Sequence, residues 1–235
     1  MNRLLCRFLA VLVLFLPLGV RSEIITLEST EGAARFQRLT DTRSALSLLS
    51  HLETEIYLTF CGPASLATVL NSLGVREPSP ATFFPYRRLT QDSLFTEQNL
   101  RIKTFAAVQS SGLTLEQLAA FARNLGVEAQ SLYAEHLELV GFRERLLLAL
   151  RDPHMRVVVN YSRIPLGQEG DGHISPLAAY DEASDSVLIL DVARYKYPPI
   201  WIPLRDLVIA MERLDPKAGR SRGVLFVKRG RANEQ

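Results

Sequence analysis

The first half of the chain spaces its apolar residues as amphipathic helices do. Across residues 65–73, apolar side chains recur at the i, i+3, i+4 and i+7 positions of one face, which predicts a helix. Pro63 lies just before this segment, where a first helical turn tolerates proline, and Gly74 suits its C-terminal end. Cys61 is therefore expected at the N-terminus of this helix.

Two further helices and then a set of strands follow along the chain. Thr114 and Gln117 have the spacing of a capping box, and Gly126 would end the helix that the box opens. Residues 137–151 predict another helix, which ends before Pro153. Four later segments predict strands: residues 156–161, 175–180, 186–192 and 223–228. Helices followed by strands indicate an α+β fold with an antiparallel sheet in the second half.

The first 22 residues have the pattern of a secretory signal peptide. Two arginines among the first seven residues precede the apolar run FLAVLVLFLPLGV, and Val20 and Ser22 provide small residues for cleavage. We therefore predict a signal peptide at residues 1–22 and a single domain at residues 23–235, exported to the periplasm and free of the membrane once cleaved. An uncleaved membrane anchor is the alternative, although the run is short and Pro17 interrupts it.

Removal of this segment changes both the charge and the cysteine count of the protein. The formal charge of +2 becomes −1, because the segment holds three arginines and no acidic residue. A near-neutral chain with scattered charges gives no electrostatic argument for binding nucleic acid. Of the two cysteines, Cys6 lies in the segment and Cys61 remains as a lone thiol. Exported proteins usually pair their cysteines, so Cys61 is either chemically active or buried and inert.

Three residues far apart in the sequence could form a nucleophilic site. A helix N-terminus carries about half a positive charge, which would favour the thiolate form of Cys61. His173 follows the glycine-rich segment 170–172, and such glycines allow the backbone to approach a substrate closely. Asp191 ends the apolar run VLIL and could hold the imidazole tautomer. An ordinary loop histidine and a turn aspartate remain the alternatives, because triads are spatial rather than sequential.

Three segments of the chain resemble the phytochelatin synthase family. FCGPASLATVLNSLG at residues 60–74 resembles the helix of its nucleophile, and GHISPLAAY at residues 172–180 resembles its histidine segment. LDVARYKYPPIWIPL at residues 190–204 resembles its aspartate segment, and the whole resemblance covers residues 40–227. It implies a papain-like fold, in which a helical N-terminal lobe presents the nucleophile and an antiparallel β lobe carries the histidine and the aspartate.

The resemblance implies an enzyme that acts on glutathione. The cysteine attacks the carbonyl of the Cys–Gly bond, releases glycine and keeps a γ-glutamylcysteinyl thioester. Water then gives γ-glutamylcysteine, whereas a second glutathione gives phytochelatin. The resemblance thus implies a glutathione gamma-glutamylcysteinyltransferase with glutathione hydrolase activity, serving metal detoxification and glutathione turnover. The short bacterial members, which the chain resembles most, tend toward hydrolysis.

No tightly bound cofactor is expected. Heavy-metal ions such as cadmium promote the transfer in the family, as thiolates of the substrate. The sequence itself shows no Cys/His cluster with the spacing of a metal site, so no protein metal site is predicted. The expected partner is the small molecule glutathione, and the sequence leaves a homodimer open.

The family's roles can be transferred to matching positions of this sequence. The resemblance makes Cys61 the nucleophile, His173 the general acid and base, and Asp191 the residue that orients it. The matching substrate-binding positions are Asn160 and Gly172 at the acyl pocket, Arg222 for the γ-glutamyl carboxylate, and Arg194 with Lys196 where a second anionic substrate would approach. A bidentate guanidinium suits a carboxylate, which supports the assignment of Arg222.

Glu55 departs from the family pattern. The family has a glutamine at this position, six residues before the cysteine, and its amide helps to form the oxyanion hole. An ionised carboxylate cannot donate a hydrogen bond, and loss of one such donor typically costs roughly 100- to 1000-fold in turnover. Three interpretations follow. Glu55 is protonated and can donate, or the chain is shifted by a residue or two and the backbone N–H of Cys61 suffices as the donor. In the third, the activity of the protein is weak. The alternative function is a module that binds glutathione or metal–thiolate complexes; a general papain-like peptidase is disfavoured by the specific DVARYKYPP segment.

Overall fold

The structure of the protein is a computed structural model, which describes residues 24–230. The signal peptide predicted at residues 1–22 lies outside this range, so its cleavage, export to the periplasm and a single domain at residues 23–235 stay predictions. Within residues 24–230, no helix is both long and apolar enough to cross a membrane.

Helices are the main regular elements in the first half of the described chain. Six lie before residue 125 and two lie later: α1 (Thr30–Gln37), α2 (Arg43–Ser50), α3 (Cys61–Ser72), α4 (Glu97–Ile102), α5 (Phe105–Ser111), α6 (Leu115–Asn124), α7 (Leu139–Arg151) and α8 (Leu204–Glu212). The predicted capping box opens α6, where Thr114 and Gln117 make both of its hydrogen bonds. Gly74 lies two residues after the end of α3 and has a φ of 73°, the left-handed conformation that ends helices.

The strands form one large antiparallel sheet. Seven strands belong to it: β1 (Ile25–Thr26), β2 (Val127–Tyr133), β3 (Met155–Ser162), β4 (Gly172–Asp181), β5 (Ser186–Ile189), β6 (Ile200–Pro203) and β9 (Gly223–Arg229). Their order is β1-β6-β5-β4-β3-β9-β2, and every neighbouring pair is antiparallel. A two-stranded sheet is formed by β7 (Leu214–Asp215) and β8 (Arg220–Ser221). The predicted α+β class with an antiparallel sheet is therefore confirmed.

Helices cover both faces of the large sheet. Val157 and Val159 of β3 pack into the cluster that includes α7 and α8, whereas Val158 packs into the cluster that includes α3 and α6. Successive strand side chains point to opposite faces, so a strand covered on both sides must be apolar throughout. The run of valines in β3 follows from this three-layer arrangement.

Helix α3 is longer and more buried than the sequence pattern predicts. It begins at Cys61 rather than near residue 65, and every residue from Gly62 to Asn71 is buried. The Ser65 hydroxyl donates to the carbonyl of Ile174 at 3.0 Å, which fixes the start of α3 against β4. The N-terminus of this central helix therefore lies beside the first residues of β4.

The strand predicted at residues 186–192 is shorter in the structure. β5 stops at Ile189, so Asp191 lies two residues beyond the strand rather than at its end. The chain leaves the sheet where the register between β4 and β5 shifts. Beyond that point the N–H of Val192 donates to the Ser175 hydroxyl at 3.3 Å instead of continuing the ladder. Asp191 is consequently free to turn toward β4.

Candidate active site

Cys61 lies in a cleft between the start of α3 and the ends of β3 and β4. Its thiol is free and partly exposed. The cleft has a volume of about 250 Å³ and brings together five residues predicted from the sequence: Cys61, Asn160, Gly172, His173 and Arg222. These residues come from α3, β3, β4 and the residue before β9, so the cleft exists only in the folded chain.

His173 and Asp191 form a close, buried pair. His173 lies on β4 opposite Tyr161 of β3, and its Nε2 lies 2.9 Å from Asp191 Oδ1. At this distance the imidazole, when protonated, forms a close ion pair with the carboxylate. Because Nε2 faces the carboxylate, Nδ1 is the ring nitrogen left for Cys61.

A buried arginine holds Asp191 in place. Arg163 Nη1 lies 2.8 Å from Asp191 Oδ2, and Arg163 Nη2 donates to Oδ1 at 3.0 Å. The N–H of Ala193 also donates to Oδ1, at 2.8 Å. Asp191 is fully buried and Arg163 almost fully buried, so the two charges compensate each other in the interior.

The charges of this cluster set its protonation. Burial alone would lower the pKa of His173, but Asp191 and Cys61 outweigh it and raise this pKa to about 9. Burial would likewise raise the pKa of Asp191, but His173 and Arg163 lower it to about 2. At neutral pH His173 is therefore an imidazolium between a carboxylate and the sulfur of Cys61.

Glu55 lies close to Cys61 and His173, although it does not line the cleft itself. A carboxylate oxygen of Glu55, the sulfur of Cys61 and a ring nitrogen of His173 all lie within 4.8 Å of one another. The Tyr195 hydroxyl donates to Glu55 Oε1 at 2.5 Å, whereas Oε2 is buried without a partner among the described residues. Burial raises the pKa of Glu55, although Tyr195 and His173 oppose this shift.

The backbone on both sides of Glu55 is fixed. Gln91 accepts from the N–H of Ile56 at 3.1 Å and donates to the carbonyl of Thr54 at 2.8 Å. The N–H of Glu55 itself donates to the carbonyl of Val192 at 3.0 Å. The backbone that carries the Glu55 side chain is therefore held by hydrogen bonds to distant parts of the chain.

Arg222 forms the other side of the cleft and is held loosely. It is buried, yet its hydrogen bonds to Asn160 Oδ1 and Asp171 Oδ2 are both 3.3 Å long, and Asp215 is 4.0 Å away. Charge-assisted hydrogen bonds are normally about 2.7–2.9 Å long. The guanidinium can therefore still bind a carboxylate that enters the cleft.

Gly172 provides the space for Arg222. A Cβ atom at this position would lie 2.4 Å from Arg222 Nη1, which is closer than atoms can approach. The role of this glycine is thus a steric one, and any side chain at residue 172 would displace the guanidinium.

Not every predicted residue lies in this cleft, and several contributors were missed. Arg194 and Lys196 are exposed and do not line it, although Lys196 lies near the Gly170 backbone. Arg163 and Tyr195 were not predicted, since arginine and tyrosine carry no motif at these positions. Asp215 lines the cleft from the short β7, where the sequence gives no sign of a site.

Comparison with known proteins gives a consistent result. The family model described as phytochelatin synthase matches residues 16–224. Glutathione gamma-glutamylcysteinyltransferase 2 of Arabidopsis thaliana is 33% identical over 182 residues, which is 77% of this chain and 39% of the plant protein. Glutathione gamma-glutamylcysteinyltransferase 1 of Triticum aestivum is 34% identical over 183 residues, covering 78% of this chain and 35% of the wheat protein.

A fungal relative shows the same partial coverage. Glutathione gamma-glutamylcysteinyltransferase of Schizosaccharomyces pombe is 29% identical over 182 residues, which is 77% of this chain and 42% of the yeast protein. The chain thus spans well under half the length of these curated relatives.

Proposed function

Because the chain belongs to the phytochelatin synthase family, we propose that it is an acyltransferase that cleaves the Cys–Gly bond of glutathione through a thioester on Cys61. One observation carries the proposal: a free thiol at the start of a buried helix shares a cleft with a charged His173–Asp191 pair and a loosely held arginine. We infer a papain-like arrangement of these groups, in which Asp191 orients the imidazole.

Acylation needs only groups that this cleft contains. The sulfur of Cys61, as a thiolate beside imidazolium, attacks the carbonyl carbon of the Cys–Gly bond. The C–N bond breaks and the glycine nitrogen takes the proton of His173. Glycine leaves, and a γ-glutamylcysteinyl thioester and a neutral imidazole remain. The negative charge of Asp191 stabilises the imidazolium before this step, which agrees with the raised pKa of His173.

The cleft wall suits the γ-glutamyl end of the substrate. This end carries an α-carboxylate and an α-ammonium group. Arg222 would bind the carboxylate, and the carboxylates of Asp171 and Asp215, which also line the cleft, would attract the ammonium group. Asn160 accepts a hydrogen bond from Arg222 and so helps to aim the guanidinium.

Gly172→Ala tests this assignment. The added methyl group should push Arg222 away from the carboxylate and raise the KM for glutathione about 10-fold, or ~1.4 kcal/mol, with little change in kcat. Initial-rate kinetics would show this split, and Gly141→Ala, where a Cβ meets no atom within 4 Å, is a matched control. A fall in kcat at constant KM would contradict the role of Gly172 in substrate binding.

Deacylation reverses the proton movement. Neutral His173 takes a proton from water or from the amine of a second glutathione, whose oxygen or nitrogen then attacks the thioester carbon. The C–S bond breaks and the thiolate–imidazolium pair returns. Arg194 and Lys196, both exposed outside the cleft, are proposed to guide the carboxylates of the second glutathione. The ratio of water to amine attack decides between hydrolysis and transfer.

Product analysis tests the proposed function. The purified protein would be given millimolar glutathione with and without cadmium, and glycine, γ-glutamylcysteine and longer oligomers would be followed by mass spectrometry. We expect glycine release in step with γ-glutamylcysteine or oligomers, and a γ-glutamylcysteinyl adduct on Cys61 after acid quenching. If no glycine forms under either condition, the proposal is wrong.

Glu55→Gln should raise kcat about 100-fold at neutral pH. The glutamine oxygen can still accept from Tyr195, and its amide nitrogen would take the place of the unpartnered Oε2 and donate to the oxyanion. The gain should shrink in more acidic buffer, because a protonated Glu55 can itself donate. Glu53→Gln is the matched control: it makes the same substitution two residues away, at a carboxylate that pairs with Arg88, and should leave kcat unchanged.

Turnover would be measured in chelator-treated protein. A loss of activity in Glu55→Gln would show that the carboxylate itself takes part in the reaction.

Glu55 also favours a second candidate function. Its carboxylate lies near the thiol and, when ionised, would oppose a developing oxyanion, which suits a module that binds glutathione or its metal thiolates with weak turnover. Calorimetric binding of glutathione without glycine release by either the natural chain or Glu55→Gln would support this module over the enzyme.

A further inference from the structure

We propose that Glu55, Cys61 and His173 form a three-ligand site that binds a thiophilic divalent cation, of the Zn²⁺ or Cd²⁺ class, directly to the protein. Their sulfur, nitrogen and carboxylate oxygen atoms already lie within 4.8 Å of one another. Cysteine, histidine and glutamate are all common zinc ligands, and three protein ligands leave a fourth position open to water or a thiol. No local motif predicted this site, because its first and last ligands, Glu55 and His173, are 118 positions apart in the sequence.

The charges of the three groups suit a divalent ion. A thiolate and a carboxylate together neutralise two positive charges, and a neutral imidazole completes the set. Cys61 binds as the thiolate and His173 as the neutral imidazole, so any protons that these groups carry are released to the solvent when the ion binds. This balance requires no oxidant or further reactant.

Glu55 is oriented for such an ion before any ion arrives. Glu55 as a whole residue is 7% exposed, and Tyr195 donates to Oε1 while Oε2 has no partner among residues 24–230. A buried, unpartnered carboxylate oxygen costs free energy that a cation would recover. The hydrogen bonds of Gln91 to residues 54 and 56 fix the backbone on both sides of Glu55.

His173 has the support that metal-binding histidines usually have. Its Nε2 lies 2.9 Å from Asp191 Oδ1, which leaves Nδ1 for the ion. A carboxylate behind the imidazole fixes the ring and raises its basicity as a ligand. Asp191 is in turn held by Arg163, so the second layer of the site is complete.

Only small side-chain movements are needed to bind. Zn–S and Zn–N bonds of about 2.0–2.3 Å in a tetrahedron place the ligand atoms roughly 3.3–3.8 Å apart. Rotations of Cys61, which is partly exposed, and of the Glu55 carboxylate can close the remaining distance. A larger ion such as Cd²⁺ needs less closure.

The site would make free metal an inhibitor of the reaction, and this consequence alone rests on the proposed function. An ion on Cys61 occupies the sulfur that must attack the substrate. Glutathione in excess would remove the ion as a thiolate complex and restore activity. Binding itself requires no substrate and can be measured separately.

Metal titration of the full chain tests the site. A Cys6→Ser background leaves Cys61 as the single thiol, and chelator-treated protein would be titrated with CdCl₂ or ZnCl₂ in the absence of glutathione. We expect one ion per chain by calorimetry, a cadmium–thiolate absorption band, and protection of Cys61 from iodoacetamide. Glu55→Gln should weaken binding at least about 10-fold, and His173→Gln should do the same.

Two controls make the outcome decisive. His136→Gln changes an exposed histidine remote from the cleft and should leave the affinity unchanged. Thermal unfolding of each variant without metal would show that it is folded. If Glu55→Gln and His173→Gln bind the ion as tightly as the natural chain, the ion is held by the lone thiol and the proposed site is wrong. An inactive protein that still binds metal would overturn the enzyme proposal and leave this one intact.

Discussion

Cys61→Ala is expected to abolish the release of glycine from glutathione, with a fall in rate of roughly 10⁵- to 10⁶-fold. Without the sulfur no thioester can form, and His173 cannot replace it because its ring is turned toward Asp191. The substitution removes little buried surface at the first residue of α3, so the protein should fold normally. Glutathione should still bind, since Arg222 and the acyl pocket are unchanged.

Three measurements separate this result from a general loss of structure. Single-turnover assays give the rate, calorimetry gives the affinity for glutathione, and thermal unfolding gives the stability. Cys6→Ser is the matched control, because Cys6 is the other cysteine of the sequence. This substitution should leave the rate unchanged. Residual glycine release within 100-fold of the natural rate would mean that Cys61 is not the nucleophile.

Asp191→Ala should lower kcat about 10³-fold and the free energy of unfolding by about 3–5 kcal/mol. The kinetic loss follows because His173 loses the group that orients it and raises its pKa. The loss of stability follows because Arg163, which is 4% exposed, keeps a buried charge without its carboxylate. Urea unfolding and steady-state kinetics measure the two effects independently.

Asp191→Asn separates orientation from charge. An asparagine oxygen can still accept from Ala193 and face His173, but it no longer balances Arg163. We expect a smaller kinetic loss than for alanine and a similar loss of stability. In the natural chain, folding lowers the pKa of Asp191 from the ordinary 3.8 to about 2. The ionised carboxylate therefore stabilises the folded state fully above about pH 4, and this contribution disappears as the pH falls through 2. This acid-sensitive contribution should be missing from both variants. If the kcat of Asp191→Ala lies within 10-fold of that of the natural chain, Asp191 has only a structural role.

Local signals in the sequence account for the parts of the fold that were predicted. The capping box at Thr114 and Gln117 and the glycine after α3 depend on a few neighbouring residues, so their effects can be deduced without a partner. The α+β class follows from the order of the periodic segments. The positions of Cys61, His173 and Asp191 were suggested by motifs, and the structure brings them together although their roles stay proposals.

Features that depend on distant contacts could not be predicted. β2 (VEAQSLY) has weak alternation, because it lies at an edge of the sheet and is half exposed. Helix α3 looks one-faced in sequence, yet strands from about a hundred residues later cover its other side. Arg163 and Tyr195 acquire their importance only from Asp191 and Glu55, which are distant in sequence.

The order of strands has a consequence for how the protein is made. β9, the latest strand of the large sheet in sequence, lies between β3 and β2, so a nascent chain that stops before residue 223 has a gap inside its sheet. Such non-local pairing delays folding. A polypeptide on the ribosome would therefore stay open until synthesis has passed β9, and Arg222, one residue earlier, would join the cleft at the same moment. The cleft around Cys61 is thereby completed only after the residues of β9 have been synthesised, although its thiol lies on the much earlier α3.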